Sequence, residues 1–107
     1  MSIQDFRLVY MTTKDVEEAL LIGKALLAER LVACVNIIPG ITSLFWWEDE
    51  IQETKETVIL AKTTVQHLDA LVERVKEHHS YDCPCVVAVP IEEGNQNFLN
   101  WIKMETS

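Results

Sequence analysis

Residues 32–63 carry two strand-forming runs in succession, with no helix-forming segment between them. Nothing else in the chain constrains the fold as tightly. The two runs must pair as a hairpin, and a hairpin alone is marginal in water, so it needs a sheet or a neighbour to lie against. The first run, residues 32–45, is interrupted by Pro39 and Gly40. Proline cannot donate a ladder hydrogen bond, so this pair marks an edge, a bend or a bulge. Residues 46–50 read as the turn, although they lack the Asn-Gly signal of a tight hairpin. The second run begins near Ile51 and has its heart at residues 58–63.

The flanks complete the pattern. Residues 6–12 (FRLVYMT) are a short apolar run of strand formers. Asp15 offers a helix N-cap, and Glu18 three residues later completes a capping-box pair. Val16, Leu20, Gly23, Leu27 and Leu31 then predict a helix over about residues 15–30 with one apolar stripe, widened by Ala19 and Leu26. Thr64 offers a cap for a second helix carrying Val65, Leu68, Leu71, Val72 and Val75, which ends at His78 and His79. Pro84 discourages helix at Cys83. Residues 85–91 read as the fourth strand, and residues 94–104 as a short closing helix with Phe98, Leu99, Trp101 and Ile102.

The order β-α-β-β-α-β plus a terminal helix is that of an α+β, ferredoxin-like sandwich with two helices on one face of a four-stranded antiparallel sheet. A helix of ~16 residues covers ~24 Å, whereas a strand of ~13 residues extends ~43 Å. The middle hairpin must therefore overshoot the helix layer. Its tip carries Phe45, Trp46 and Trp47. Exposed aromatics on an overhanging arm ask for a partner, so a closed, symmetric homo-oligomer is expected. Trp46 and Trp47 point to opposite faces, which predicts that one is buried and the other lies at a subunit contact or cleft rim.

At 107 residues the chain is read as a single domain, residues 1–107, with 49% hydrophobic residues. A net charge of −8 without clustered lysine or arginine excludes a nucleic-acid or anionic-membrane surface, and it concentrates cations nearby. No apolar stretch approaches the ~20 residues that span a bilayer. The N-terminus lacks the pattern of a signal peptide. Three cysteines cannot all pair within one chain, which points to the reducing cytoplasm.

The densest chemistry lies in His78-His79-Ser80-Tyr81-Asp82-Cys83-Pro84-Cys85. Imidazole and thiolate suit copper and zinc better than magnesium or calcium. His78 and His79 are candidate metal ligands, or else charges that neutralise a helix C-terminus. Cys83 and Cys85 form a candidate soft pair, or else small apolar residues entering a strand. No closed set of four Cys and His ligands exists, so only weakly bound metal is expected, and no organic cofactor. A thiol enzyme would need a base from His78 or His79 and an orienting carboxylate from Asp82, but no glycine-rich turn or helix N-terminus builds an oxyanion site. The acidic runs Glu48-Asp49-Glu50 and Glu92-Glu93 read as solvated turns. Lys62, on an otherwise apolar strand, either reaches water or contacts a ligand in a cleft between subunits.

Ala33-Cys34-Val35-Asn36, Pro39, Ser43 with Phe45-Trp46-Trp47, Lys62-Thr63, His78-His79 with Tyr81 and Pro84, and Trp101-Ile102 together resemble the CutA divalent-cation-tolerance family, in order and over nearly the whole chain. The resemblance implies a compact homotrimer of ferredoxin-like subunits similar in architecture to PII signalling proteins, and an association with tolerance of copper and other divalent metal ions; a non-enzymatic role is expected. It also implies a first-strand ligand position, held here by Met11 where some members have cysteine. The chain departs from the family at Ser80, where proline is usual, at Cys85, where a carboxylate is usual, and at Trp47-Glu48-Asp49, where the turn commonly contains glycine. The expected metal residues are thus His78, His79, Met11, Cys85 and Cys83. The alternative is a PII-like small-molecule sensor with its ligand in the inter-subunit cleft near Trp47, Lys62, Tyr81 and Trp101, signalling to an unidentified protein partner.

Overall fold

The computed structural model describes residues 5–107. Strand β1 (Phe6–Thr13), helix α1 (Val16–Ala28), strands β2 (Cys34–Trp47) and β3 (Glu50–Thr64), helix α2 (Leu68–His78), strand β4 (Val86–Pro90) and helix α3 (Gln96–Glu105) follow in order. The sheet order is β2-β3-β1-β4, antiparallel throughout. Each β-α-β unit is therefore split by a strand of the other, the ferredoxin-like arrangement expected from the element order.

Alternation along β1 sets the two faces. Val9, Met11 and Thr13 are buried beneath the helices, while Leu8, Tyr10 and Thr12 face the other way. The main core joins Val9, Met11, Ile59 and Ala61 of the sheet to Ala19, Ile22 and Leu26 of α1 and Leu71 and Val75 of α2. A second cluster seats α3 through Leu99 and Ile102 against Phe6 and Ala33.

Helix α1 turns a different stripe inward from the one its spacing suggests. Ala19, Ile22, Gly23 and Leu26 are buried, whereas Val16, Leu20 and Leu27 remain about two-fifths exposed. Leucines fill both registers of the 3.6-residue repeat, so periodicity alone does not choose between them. The Asp15 cap forms, its side chain accepting from Glu18 N. The reciprocal half of the capping box does not. Thr64 precedes a short 3-10 turn and makes no capping hydrogen bond.

The hairpin of β2 and β3 overshoots the helix layer, and the molecule is 44 Å along its longest axis. Opposite Thr57, β2 inserts both Pro39 and Gly40, a bulge between the pairs Ile38–Val58 and Ile41–Glu56. The extra residue shifts the side-chain phase. Ile41, Ser43, Phe45 and Trp47 therefore share the open sheet face with Glu56, and Leu44 and Trp46 face outward. Neither tryptophan is buried within the chain, Trp46 being 71% and Trp47 47% exposed. At the tip, Trp47 pairs with Glu50 across a two-residue turn whose residues Glu48 and Asp49 both have positive φ (51° and 65°). A tight turn forms without the Asn-Gly signal, since acidic residues can take the left-handed conformation at a cost.

Candidate functional site: a carboxylate-lined cleft under the hairpin arm

Where the arm leaves the sheet, it and the segment after α2 enclose an open cleft of about 1010 Å³. Phe45 and Trp47 line it from the arm, Tyr10 and Thr12 from β1, Glu56 from β3, and Tyr81, Cys83 and Cys85 from the segment after α2. Sequence-distant pieces meet here because β1 lies between β3 and β4.

A hydrogen-bonded chain fixes the floor. Glu18 Oε2 accepts from Ser80 N at 2.9 Å and Glu18 Oε1 from Lys14 N at 3.1 Å, so one buried carboxylate ties the start of α1 to the end of α2. Burial by itself raises the Glu18 pKa, but the bonds from Ser80 and Lys14 outweigh it and hold the carboxyl below its ordinary range. The His79 side chain is fully buried. Its Nε2 lies 2.8 Å from the Thr12 carbonyl, and its Nδ1 accepts from Tyr81 N at 3.1 Å. Those partners assign the neutral tautomer with the proton on Nε2. The Tyr81 ring packs on the imidazole at 4.7 Å, and its hydroxyl donates to Glu56 Oε2 at 2.8 Å. Burial, then the Glu56 charge, push the Tyr81 phenol well above its ordinary pKa. The same two causes raise the Cys85 thiol, with Thr12 offsetting them only in part. Cys85 is thus a protonated thiol at neutral pH, a weak nucleophile that must lose its proton to bind a metal.

The structure divides the residues expected at a metal site. Cys83 and Cys85 reach the cleft as free thiols on either side of Pro84. Met11 does not, because it is fully buried in the core on the opposite face of the sheet. His79 has both ring nitrogens committed to the backbone, so it acts here as a structural residue. His78 is exposed at the end of α2, away from the lining. Among the described residues no three His, Cys, Asp or Glu side chains are grouped so as to hold a metal ion. Of the four residues expected at a cleft between subunits, Trp47 and Tyr81 line this cleft of the single chain. Lys62 pairs in register with Leu8, towards the other end of the sheet, and its Nζ donates to Asn36 Oδ1. Trp101 stacks on Phe98 of α3 with ring centroids 5.4 Å apart. Within one chain neither lines the cleft. Glu56 and Thr12 were not legible as site residues. Glu56 sits in the run Glu53-Thr54-Lys55-Glu56, which reads as a solvated arm.

A split β-α-β sandwich with an overlong central hairpin and a cleft beneath it defines a ferredoxin-like protein of the long-armed kind. A family model described as CutA1 divalent ion tolerance protein matches residues 7–105, and the chain belongs to that family. It is 47% identical over 98 residues to the divalent-cation tolerance protein CutA of Thermus thermophilus, covering 92% of this chain and 95% of the relative. It is 44% identical over 98 residues to the chloroplastic Protein CutA 1 of Oryza sativa, covering 92% of this chain but 55% of that longer relative. The solved structure of the Thermus thermophilus protein superposes with a TM-score of 0.93 at 45% identity, covering 95% of this chain and 99% of that one. The family description and the Thermus thermophilus names describe tolerance of divalent ions or cations and not a catalysed reaction. Among the described residues no helix is long and apolar enough to cross a membrane.

Proposed function

We propose that the chain is a non-enzymatic, cytoplasmic, homotrimeric divalent-cation-tolerance protein that takes up copper through Cys83 and Cys85. The observation that carries this reading is the pair of free thiols at the cleft, in a chain of a divalent-ion tolerance family. Two thiols suit a soft ion of low coordination such as Cu(I), and not a closed tetrahedral zinc site. Binding would release the Cys85 proton and weaken as pH falls.

The trimer is supported by apolar surface that the helices leave uncovered. Tyr10, Val87 and Val89 on the open sheet face are 38–55% exposed, and Leu44, Trp46 and Ile51 on the arm are 66–71% exposed. Light scattering is expected to give three times the chain mass, and a monomer at micromolar concentration would sink the assembly. For the metal, copper is titrated into the full chain kept reduced. Loss of affinity in the double variant Cys83→Ser, Cys85→Ser with near-wild-type affinity in His78→Ala supports the thiol site, and unchanged affinity in the double variant rejects it.

A further inference from the structure

Helix α1 has an outward face on the far side of the sheet from the surfaces assigned to the trimer. Ala19, Ile22 and Leu26 turn inward to the sheet, which leaves Glu17, Leu20, Leu21, Lys24 and Ala28 on the outside of the helix layer. Leu20 is 42% and Leu21 56% exposed, side by side near the middle of the helix. Glu17 stands three residues before Leu20, and Lys24 three residues after Leu21. Elsewhere on the layer Arg74 pairs with Glu29 and Glu77, and Lys76 with Glu73. Glu17 and Lys24 take part in no ion pair among the described residues. The face is an acid, two leucines and a base in line, with the opposite charges equally far from the centre. That pattern is complementary to itself when one copy is reversed. With a two-fold axis between residues 20 and 21, Glu17 meets the second copy's Lys24, and Lys24 meets the second copy's Glu17. Leu20 meets the second copy's Leu21, so four leucines close over the axis. A parallel pair would instead set like charges against each other.

We propose that the outward face of α1 is a docking surface for a second copy of this chain, packed antiparallel across a two-fold axis, so that it links one assembly to another. The leucines supply the apolar centre, and the two Glu17–Lys24 pairs fix direction and register. A helix of 13 residues is about 20 Å long, so the contact is smaller than a standard interface. The pairing is therefore weak and forms at high local concentration. Neither the thiols nor the open sheet face takes part, so this contact is independent of copper binding and of the trimer.

Sedimentation velocity of the full chain, from micromolar to millimolar concentration, tests the contact, with the micromolar mass as reference. The expected result is a reversible rise to at least twice that mass. Glu17→Lys and Lys24→Glu each set like charges opposite one another at both ends of the contact, and each should weaken self-association about tenfold or more. The two single variants mixed together should associate as wild type does, because each then supplies the charge that the other lacks. The double variant Glu17→Lys, Lys24→Glu should regain self-association, and Leu21→Glu should lose it. All three positions are exposed, so each variant is expected to keep the melting temperature and the reference mass of wild type. A mass that stays at the reference up to millimolar concentration, as it would if the face served a different protein or only solvent, overturns the proposal. Self-association unchanged by the single reversals, or single variants that do not associate when mixed, would overturn it as well.

Discussion

The Tyr81 hydroxyl donates to Glu56 Oε2 across 2.8 Å, joining the segment after α2 to the base of the hairpin arm. The bond satisfies one oxygen of a buried carboxylate. Tyr81→Phe removes the donor and leaves the charge, which costs about 1–3 kcal/mol of stability in denaturant unfolding. The pH dependence has a definite sign. The folded-state phenol titrates above its unfolded value, because burial and Glu56 both disfavour the phenolate. Its stabilisation is complete below the unfolded value of about 10 and is lost as pH rises towards the folded one. Wild-type protein should therefore lose stability above pH ~10 more steeply than Tyr81→Phe does. Parallel alkaline limbs would contradict this.

Glu18 has the opposite sign. Its folded-state pKa is lowered overall: burial raises it, and the bonds from Ser80 and Lys14 overcome that. The stabilisation is present above the unfolded value of about 4.3 and disappears as pH falls through the folded one. Glu18→Gln keeps the size but gives up an acceptor for one of two backbone N–H groups, at a cost of about 1–3 kcal/mol at neutral pH. The acid limb of its stability curve should be flatter than that of wild type. A variant equally acid-sensitive would show that the carboxylate is not what joins the two helices.

Adjacent histidines should behave unlike one another. His79→Ala leaves the Thr12 carbonyl and the Tyr81 N–H unpaired and opens a cavity, a loss of about 2–4 kcal/mol in thermal or denaturant unfolding. His78→Ala, at an exposed helix end, should stay within about 0.5 kcal/mol of wild type. Equal effects would place both side chains in solvent and return His79 to the list of ligands.

The contrast marks where sequence is informative and where it stops. Element order, the two-helix layer and the overshooting hairpin follow from runs and lengths, because backbone geometry converts residue counts directly into ångströms. The buried face of α1 does not, since its leucines satisfy two registers and packing against the sheet selects one. Met11 and His79 carry donor atoms, and donor chemistry is blind to burial. Met11 is placed beneath the helices by the alternation of β1, and His79 is taken up by the Thr12 carbonyl, 67 residues away, and by the nearby Tyr81 N–H. Glu56 is the converse case. Its local run looks solvated, and only the approach of Tyr81 from a distant segment turns it into a buried carboxylate.

The arm's aim rests on three residues with left-handed backbone, and the physics of that conformation predicts opposite outcomes at its two ends. Gly40, at the bulge, has φ 75°, and a Cβ added there would meet nothing within 4 Å. Gly40→Ala therefore suffers no clash, and its cost is that of the backbone alone, about 1–2 kcal/mol. If the strand escapes the strain by closing the bulge, the phase of β2 shifts and Leu44 and Trp46 turn towards the cleft in place of Phe45 and Trp47. At the tip, Asp49 holds φ 65° in a turn where glycine is preferred. Asp49→Gly relieves strain already present and should raise stability by about 0.5–1 kcal/mol. Melting of the two variants side by side tests the account: a loss at Gly40 with a gain at Asp49 is required, and shifts in the same direction would mean that something other than backbone conformation sets the arm.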